Sequence, residues 1–288
     1  RNDIPISDGI LQHVVSAYGT LRNTLRYQLG NLHDFCWETG QVDQDHMLPL
    51  DRWALEQMRQ LICDVEDAYE KCEFHRIYRA VLNFCTVTLS ATYHDILKDR
   101  LYTYGAKSLE RRSGQTAMYS IFLALVVILL PIIPFTSDEA YAHLQTNANF
   151  AQYAAHLLPW PDSKQFEGNS EVSMHMDRLF AIRSIVYKQL ELVRQQKIIG
   201  KSLEAMVMLH IGQSHKDREL LQCYGHDLAE IFIVSQVHCD VVDGDGLTVE
   251  VKKAAGRRCD RCWRWVEDGT VVEQHHLCAR CAAIVMNA

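Results

Sequence analysis

The chain has 288 residues, 48% of them hydrophobic and 23% charged, which is the balance of a globular protein with room for one large domain or two to three smaller ones. A net charge of -7 excludes a uniformly basic nucleic-acid binder, although an average of this kind can hide local basic patches. Ten cysteines are too few for a disulfide scaffold of this length, so the six that stand singly (Cys36, Cys63, Cys72, Cys85, Cys223, Cys239) read as buried or partly buried free thiols of a reducing, cytoplasmic compartment.

The first residues, "RNDIPISDGI", carry no apolar leader and no initiator Met, the pattern expected of a processed chain or a piece of a longer one. Residues 8–160 read as helical. After a Ser7/Asp8 cap, Ile10, Val14, Ala17, Leu21, Leu25 and Leu29 fall on one face at steps of three and four. Beyond a loop ending near Pro49, the series Ala54, Met58, Leu61, Val65, Tyr69, Cys72 repeats the spacing. A third helix is expected over Phe74–Lys98, with Ile77, Val81, Leu82, Phe84, Leu89 and Ile96 in its apolar set. The run Ala117–Phe135 has no charge and nearly the length of a membrane span. Pro131 and Pro134 break its last turns and no second such run exists, so a helix buried in a bundle is expected and no membrane partner. Arg111 and Arg112 are then expected on the solvent side of its entry. A short helix should begin at Asp138, behind Thr136 or Ser137. Long amphipathic helices with short joins make an up-and-down bundle.

"LPWPDSKQFEGNS" (158–170) has linker composition. A long helix over Val172–Gln196 follows. Then come a strand ("LEAMVMLHI"), a helix ("KDRELLQCYGHDLAEIFI") and two strands ("SQVHCDVV", "GLTVEVKKA"). The expected fold is mainly α, as three parts: a helical bundle over 1–160, a small α+β module over 161–252, and a zinc-ribbon-like end over 253–288.

The strongest chemical signal is Cys259, Cys262, Cys278 and Cys281, a C-x2-C-x15-C-x2-C pattern. Two residues between cysteines let a tight turn aim both sulfurs at one ion. Two such turns supply four thiolates in a closed tetrahedron with no position for a catalytic water. One structural Zn2+ is the expected cofactor. A thioredoxin-like dithiol would use one pair beside a βαβ unit. Some 30 residues with little apolar area also need a metal to fold.

Around the first pair, Lys252, Lys253, Arg257, Arg258, Arg261 and Arg264 are opposed only by Asp260, and Trp263 and Trp265 interleave with them. Basic groups follow phosphates and aromatic faces stack on unpaired bases. One Trp is expected to pack over the metal knuckle and the other to face a ligand, but spacing does not say which. Two short matches are decoys. "LHIGQ" (209–213) sits too late and ends in Gln213 rather than the His of a synthetase nucleotide motif. "IIGKS" (198–202) has Gln195 where a phosphate loop needs Gly, so Gly200 is expected to end the preceding helix. No hydrolase constellation appears and no catalytic residue is assigned. Residue chemistry alone describes a zinc-bearing helical binding protein for RNA.

"LRNTLRYQLGNLHDF", "PLDRWAL", "YEKCEFHRIYRAVLNFC", "YHDILKDRLYT", "RRSGQTAMY" and "LPIIPFTSDEAYAHL" occur in that order, followed by "KIIGKSLEAMVMLHI" and "RRCDRCWRWVEDGTVVEQHHLCARCAAIV". Together they closely resemble the anticodon-binding half, junction module and C-terminal zinc domain of bacterial isoleucyl-tRNA synthetases, which are class I enzymes. The resemblance covers nearly the whole chain. It implies a tRNA-binding piece of an ATP-dependent isoleucine–tRNA ligase, inactive alone because the activation and editing domains are not in it. Isoleucine tRNA is the implied partner and a monomer the implied state. Valyl- and leucyl-tRNA synthetases share such a bundle, and a free-standing zinc-ribbon module for nucleic acid or protein is the alternative of another class. Under the resemblance, candidate tRNA contacts are Arg22, Asn23, Arg26, Lys98, Arg100, Arg111 and Arg112 from the helices. The zinc domain adds Arg261, Trp263, Arg264 and Trp265. An internal salt bridge is the competing role for Arg22 and Arg100.

Overall fold

The computed structural model describes residues 6–146, 154–166 and 168–286. The chain divides into two units. The first is 1–97 with 106–172, and the second is 98–105 with 173–288.

The first unit is helical. α1 (Asp8–Asn31) starts at Ser7, whose hydroxyl accepts the Ile10 amide at 3.3 Å. The expected apolar stripe is buried only in part: Ala17, Leu21 and Leu25 are inside, while Ile10 and Val14 are 43% and 59% exposed. α2 (Trp37–Gly40) is a single turn. α3 (Pro49–Glu70) has proline at its first position, where no intrahelical donor is needed, and buries Ala54, Met58, Leu61 and Val65. Tyr69 is half-buried, and Cys72 lies past the helix end, exposed.

The third expected helix is three elements in sequence. α4 (Phe74–Asn83) passes into a π-helix (Phe84–Tyr93), and α5 (His94–Thr103) follows. Ser90 and Thr92 donate their hydroxyls to the carbonyls five residues back, Cys85 at 2.7 Å and Val87 at 3.0 Å. The widened turns keep Cys85, Leu89 and Tyr93, four residues apart, in the core. There Tyr93 donates to the fully buried Asp51 at 2.7 Å, and Ser113 donates to the other carboxylate oxygen at 2.5 Å. This polar knot ties α3 to the π-helix and to α6 (Leu109–Leu129).

α6 carries residues 117–129 of the charge-free run after a charged first turn, and most of that stretch is buried, so it is the core helix of the bundle. Arg111 and Arg112 are not on its solvent side: their side chains turn inward to Asp34. α7 (Pro134–Thr146) begins four residues before the expected Asp138, because Pro134 is pre-set for a first helical turn. The linker-like "LPWP" is held against α3, with Trp160 edge-on to Tyr69 at 5.6 Å. Of the six single cysteines only Cys85 is buried, its thiol pushed up to about 12 by burial; the other five are exposed, contrary to the sequence expectation.

In the second unit, α8 (Ser170–Gln195) ends not at Gly200 but at Lys197, which has φ +60°. The Ile198 amide reaches Val193 O and the Lys197 amide reaches Arg194 O, a left-handed helix terminus that no glycine supplies here. The Gly200 amide donates to the Glu204 carboxylate at 2.8 Å, which occupies the place a phosphate would need.

β1 (Ala205–Gly212) is the central strand of a sheet ordered β2-β1-β3. α9 (Arg218–Cys223) and α10 (Leu228–Ile231) replace the single expected helix. β2 (Gln236–Val242) is parallel to β1, and β3 (Leu247–Lys253) is antiparallel to it. Ala205, Val207, Leu209 and Ile211 alternate inward and are buried, as are Leu220, Leu228 and Phe232 of the helical segment that follows. Gly212 is required where the end of β1 meets the turn between β2 and β3, because a Cβ there would stand 2.3 Å from Gly244 O.

The end of the chain is built from small pieces: β4 (Arg257–Arg258), β5 (Trp265–Val266), β6 (Gly269–Val272), β7 (His275–Cys278) and α11 (Ala279–Met286). β6 and β7 are joined by Glu273–Gln274, both at positive φ, a tight hairpin turn made without the usual Asn-Gly.

Candidate metal centre and nucleic-acid interface

Each cysteine pair sits on its own turn. The first is a knuckle between β4 and β5, closed by Trp263 N donating to Cys259 O at 2.9 Å and Cys259 N to Arg264 O at 2.8 Å. The second joins β7 to α11, with Cys278 at the strand end and Cys281 in the first helical turn. Cys259, Cys262 and Cys281 are buried and Cys278 is half-buried.

The four sulfurs lie within 4.8 Å of one another, and Cys262 Sγ is 3.7 Å from Cys278 Sγ. A tetrahedron with Zn–S of about 2.3 Å has S···S edges of roughly 3.8 Å, so the donor set fits a structural zinc. The hydrogen bond shared with Cys278 and burial push the Cys262 thiol up, while the same bond pulls Cys278 down to about 4. Backbone amides of Arg264 and Cys281 also favour thiolate at Cys262 and Cys278. A divalent cation neutralises the charge that this crowding of sulfurs disfavours. His275 is exposed beside Asp260, and His276 Nδ1 contacts Arg258 O, so neither histidine joins the cluster.

The two tryptophans are distinguished by their surroundings. Trp265 is half-buried on β5, and its amide donates to Ser235 Oγ at 2.7 Å. Trp263, at φ +66°, is 54% exposed. The Lys201 ammonium lies 5.5 Å from the Trp263 ring and Lys253 lies 5.3 Å from Trp265. Both rings line a cleft of about 360 Å3 with Lys201, Leu203, Glu204 and Arg258.

The candidate basic residues separate into two groups. Arg22, Asn23 and Arg26 are exposed on α1, and the two arginines line a groove of about 190 Å3 with Thr136, Glu139 and His143. Lys98 is exposed too. Five others face protein. Arg100 is 4% exposed and paired with Glu230. Arg111 meets Asp34 at 3.0 Å, and Arg112 donates to Asp34 O and Gln115 at 3.0 and 2.8 Å. Arg264 meets Asp99 at 3.0 Å, and Arg261 donates to Thr103 O and toward Cys281 Sγ. Residues that sequence reasoning missed are Lys201 and Ser235 around the cleft, and Asp99, Thr103 and Arg280 behind the knuckles. Only "KDR" at 98–100 and the Arg280 beside Cys281 gave any local hint.

A family described as the anticodon-binding domain of tRNA ligase matches residues 51–209, just over half of the chain. The chain belongs to this family. The match ends in β1, so the cysteine module lies outside it. Whole-chain similarity includes that module. The isoleucine–tRNA ligase of Symbiobacterium thermophilum is 41% identical over 100% of this chain, and that of Syntrophotalea carbinolica 43% identical over 99%. The ligase of Petrotoga mobilis is 38% identical over 99%. The chain spans about a third of these relatives, 32%, 31% and 31% of their lengths.

Proposed function

We propose that this chain is the anticodon-reading part of an isoleucine–tRNA ligase and that its partner is isoleucine tRNA. The observation that carries the reading is the similarity of essentially the whole chain, cysteine module included, to isoleucine–tRNA ligases. In that reading ATP-dependent activation of isoleucine and its transfer to tRNA belong to parts of the ligase outside these 288 residues. The protein works as a monomer in the cytoplasm, and Zn2+ occupies the four-cysteine site. Its three working parts are the bundle over 1–160, the junction over 161–252 and the metal-held tip over 253–288.

The chemistry of recognition is divided among these parts. Anticodon-loop bases are unstacked and offer π-faces, and Trp263, exposed beside Lys201, offers a stacking partner with a cation over its ring. Arg22, Asn23, Arg26 and Lys98 are the exposed candidates for phosphate and base edges. Arg100, Arg111, Arg112, Arg261 and Arg264 hold carboxylates or carbonyls of the protein and act on RNA through the shape they maintain. The metal supplies a fourfold cross-link and charge neutralisation.

Filter binding at one fixed salt concentration tests this reading with isoleucine tRNA, the same tRNA with an altered anticodon, and duplex DNA. The expected order is isoleucine tRNA tightest. Preference for duplex DNA would support a free-standing zinc-ribbon module instead, and equal affinity for both tRNAs would leave only nonspecific RNA binding.

A further inference from the structure

Between Lys98, an exposed candidate RNA contact, and Arg100, which is buried against Glu230, lies an acidic residue with a different task. The Asp99 carboxylate accepts three hydrogen bonds and is ion-paired with a second arginine. Oδ1 receives Arg280 Nη2 at 2.8 Å and the Thr103 hydroxyl at 2.6 Å. Oδ2 receives Arg280 Nη1 at 2.9 Å and is ion-paired with Arg264 Nη2 at 3.0 Å. Arg280 also donates to Thr103 Oγ1 at 2.9 Å and lies over the Tyr104 ring at 4.2 Å. Its guanidinium is thus enclosed by the last turn of α5.

The two arginines come from the two halves of the metal module. Arg264 follows the first cysteine knuckle, and Arg280 directly precedes Cys281 of the second. Arg261, inside the first knuckle, donates to Thr103 O. Trp263 is therefore fixed from both sides: its predecessor Cys262 belongs to the sulfur cluster, and its successor Arg264 is held by Asp99. Its left-handed backbone conformation is one that a β-carbon disfavours, so it persists only where neighbours impose it.

We propose that Asp99 is a positioning residue for RNA reading. It docks the metal-held tip on the end of α5 and so sets the direction in which Trp263 presents its ring. This rests on the reading that Trp263 meets an anticodon-loop base. Asp99 itself touches no RNA; it acts through Arg264 and Arg280.

The test uses the full chain as wild type, Asp99→Asn, Asp99→Glu and Arg264→Met. Three quantities are measured: bound metal per chain, amide exchange at 98–105 and 257–286 without RNA, and the affinity ratio for two stem-loops, one with the isoleucine anticodon and one altered. Asp99→Asn should keep its metal, lose at least about tenfold of the amide protection at 98–105, and lose about tenfold of the anticodon discrimination. Asp99→Glu should recover most of both. Should Asp99→Asn lose its metal, Arg264→Met, which removes a single contact, must keep metal and still lose discrimination. Wild-type protection and discrimination in Asp99→Asn would overturn the proposal, as would metal loss in both variants or no recovery in Asp99→Glu. If wild type itself does not discriminate between stem-loops, the RNA reading fails, while the exchange measurement still decides the docking role of Asp99.

Discussion

Removing the metal should unfold the end of the chain and leave the bundle folded. The buried cluster of this module consists of Cys259, Cys262 and Cys281 with only Leu277 and Ala282 beside them, and Val272 and Cys278 pack against it. Burying a leucine is worth about 1.5–3 kcal/mol, and an alanine contributes less. A structural zinc on four thiolates contributes about 10–16 kcal/mol near pH 7. The ion therefore outweighs the apolar contacts several-fold, and the short strands β4–β7 hold few hydrogen bonds of their own. The assay is amide exchange with and without a strong chelator, alongside metal quantitation and far-UV circular dichroism. On metal loss, amides of 257–286 should exchange as in an unfolded chain, while the α3 and α6 amides keep their protection. The dichroism should change little, because α11 has only 8 residues. Cys259→Ser should reproduce the pattern. Protected amides in β6, β7 and α11 after demonstrated metal loss would refute the reasoning, and global loss of helicity would show that the module and bundle do not fold separately.

Trp263→Ala should weaken stem-loop binding by about 1–3 kcal/mol, with metal content unchanged. Unchanged affinity with a loosened metal module would assign the ring to packing instead. Tyr93→Phe removes a donor from a carboxylate that is 0% exposed, which costs about 1.5–3 kcal/mol. Scanning calorimetry should show the bundle melting about 3–12 °C lower, and an unmoved midpoint would mean Asp51 finds its partners elsewhere. The Asp34–Arg111 pair should be visible in the acid limb of stability. Burial alone would raise the Asp34 carboxyl, but hydrogen bonds from Gln115 and Arg111 and the charges of Arg111 and Arg112 hold it below its usual range. A depressed carboxyl stabilises the fold above its unfolded pKa of about 4, and that contribution disappears as pH falls through the lower folded value. The melting gap between wild type and Arg111→Gln should therefore be open at pH 6 and close toward pH 3; a gap independent of pH would contradict the pairing.

The helices were legible because their apolar spacing is local. The α3 series from Ala54 to Val65 is buried as read. What spacing could not show is where a neighbour is present. α1 carries one apolar stripe from Ile10 to Leu25, yet its first turns remain exposed. Nor could it show the π-helix, whose sequence FCTVTLSATY fits an ordinary helix and whose last residue, Tyr93, meets Asp51 beside Ser113 across three elements.

By itself the sequence determined the fold class, the clustering of Cys259, Cys262, Cys278 and Cys281, and the family resemblance. All three are written in short spacings, and a Cys-x-x-Cys turn needs nothing beyond its own four residues to aim two sulfurs. Only the tertiary structure decided which side chains of "RCWRW" face out. Arg261 and Arg264 carry the same charge as exposed arginines and stand beside Trp263, yet both are engaged by α5, and Arg280 meets Asp99 across 181 residues of chain. An ion pair across that separation leaves no periodicity behind. Its partners come together only when the fold does, and their pairing left Trp263 as the exposed ring of the tip.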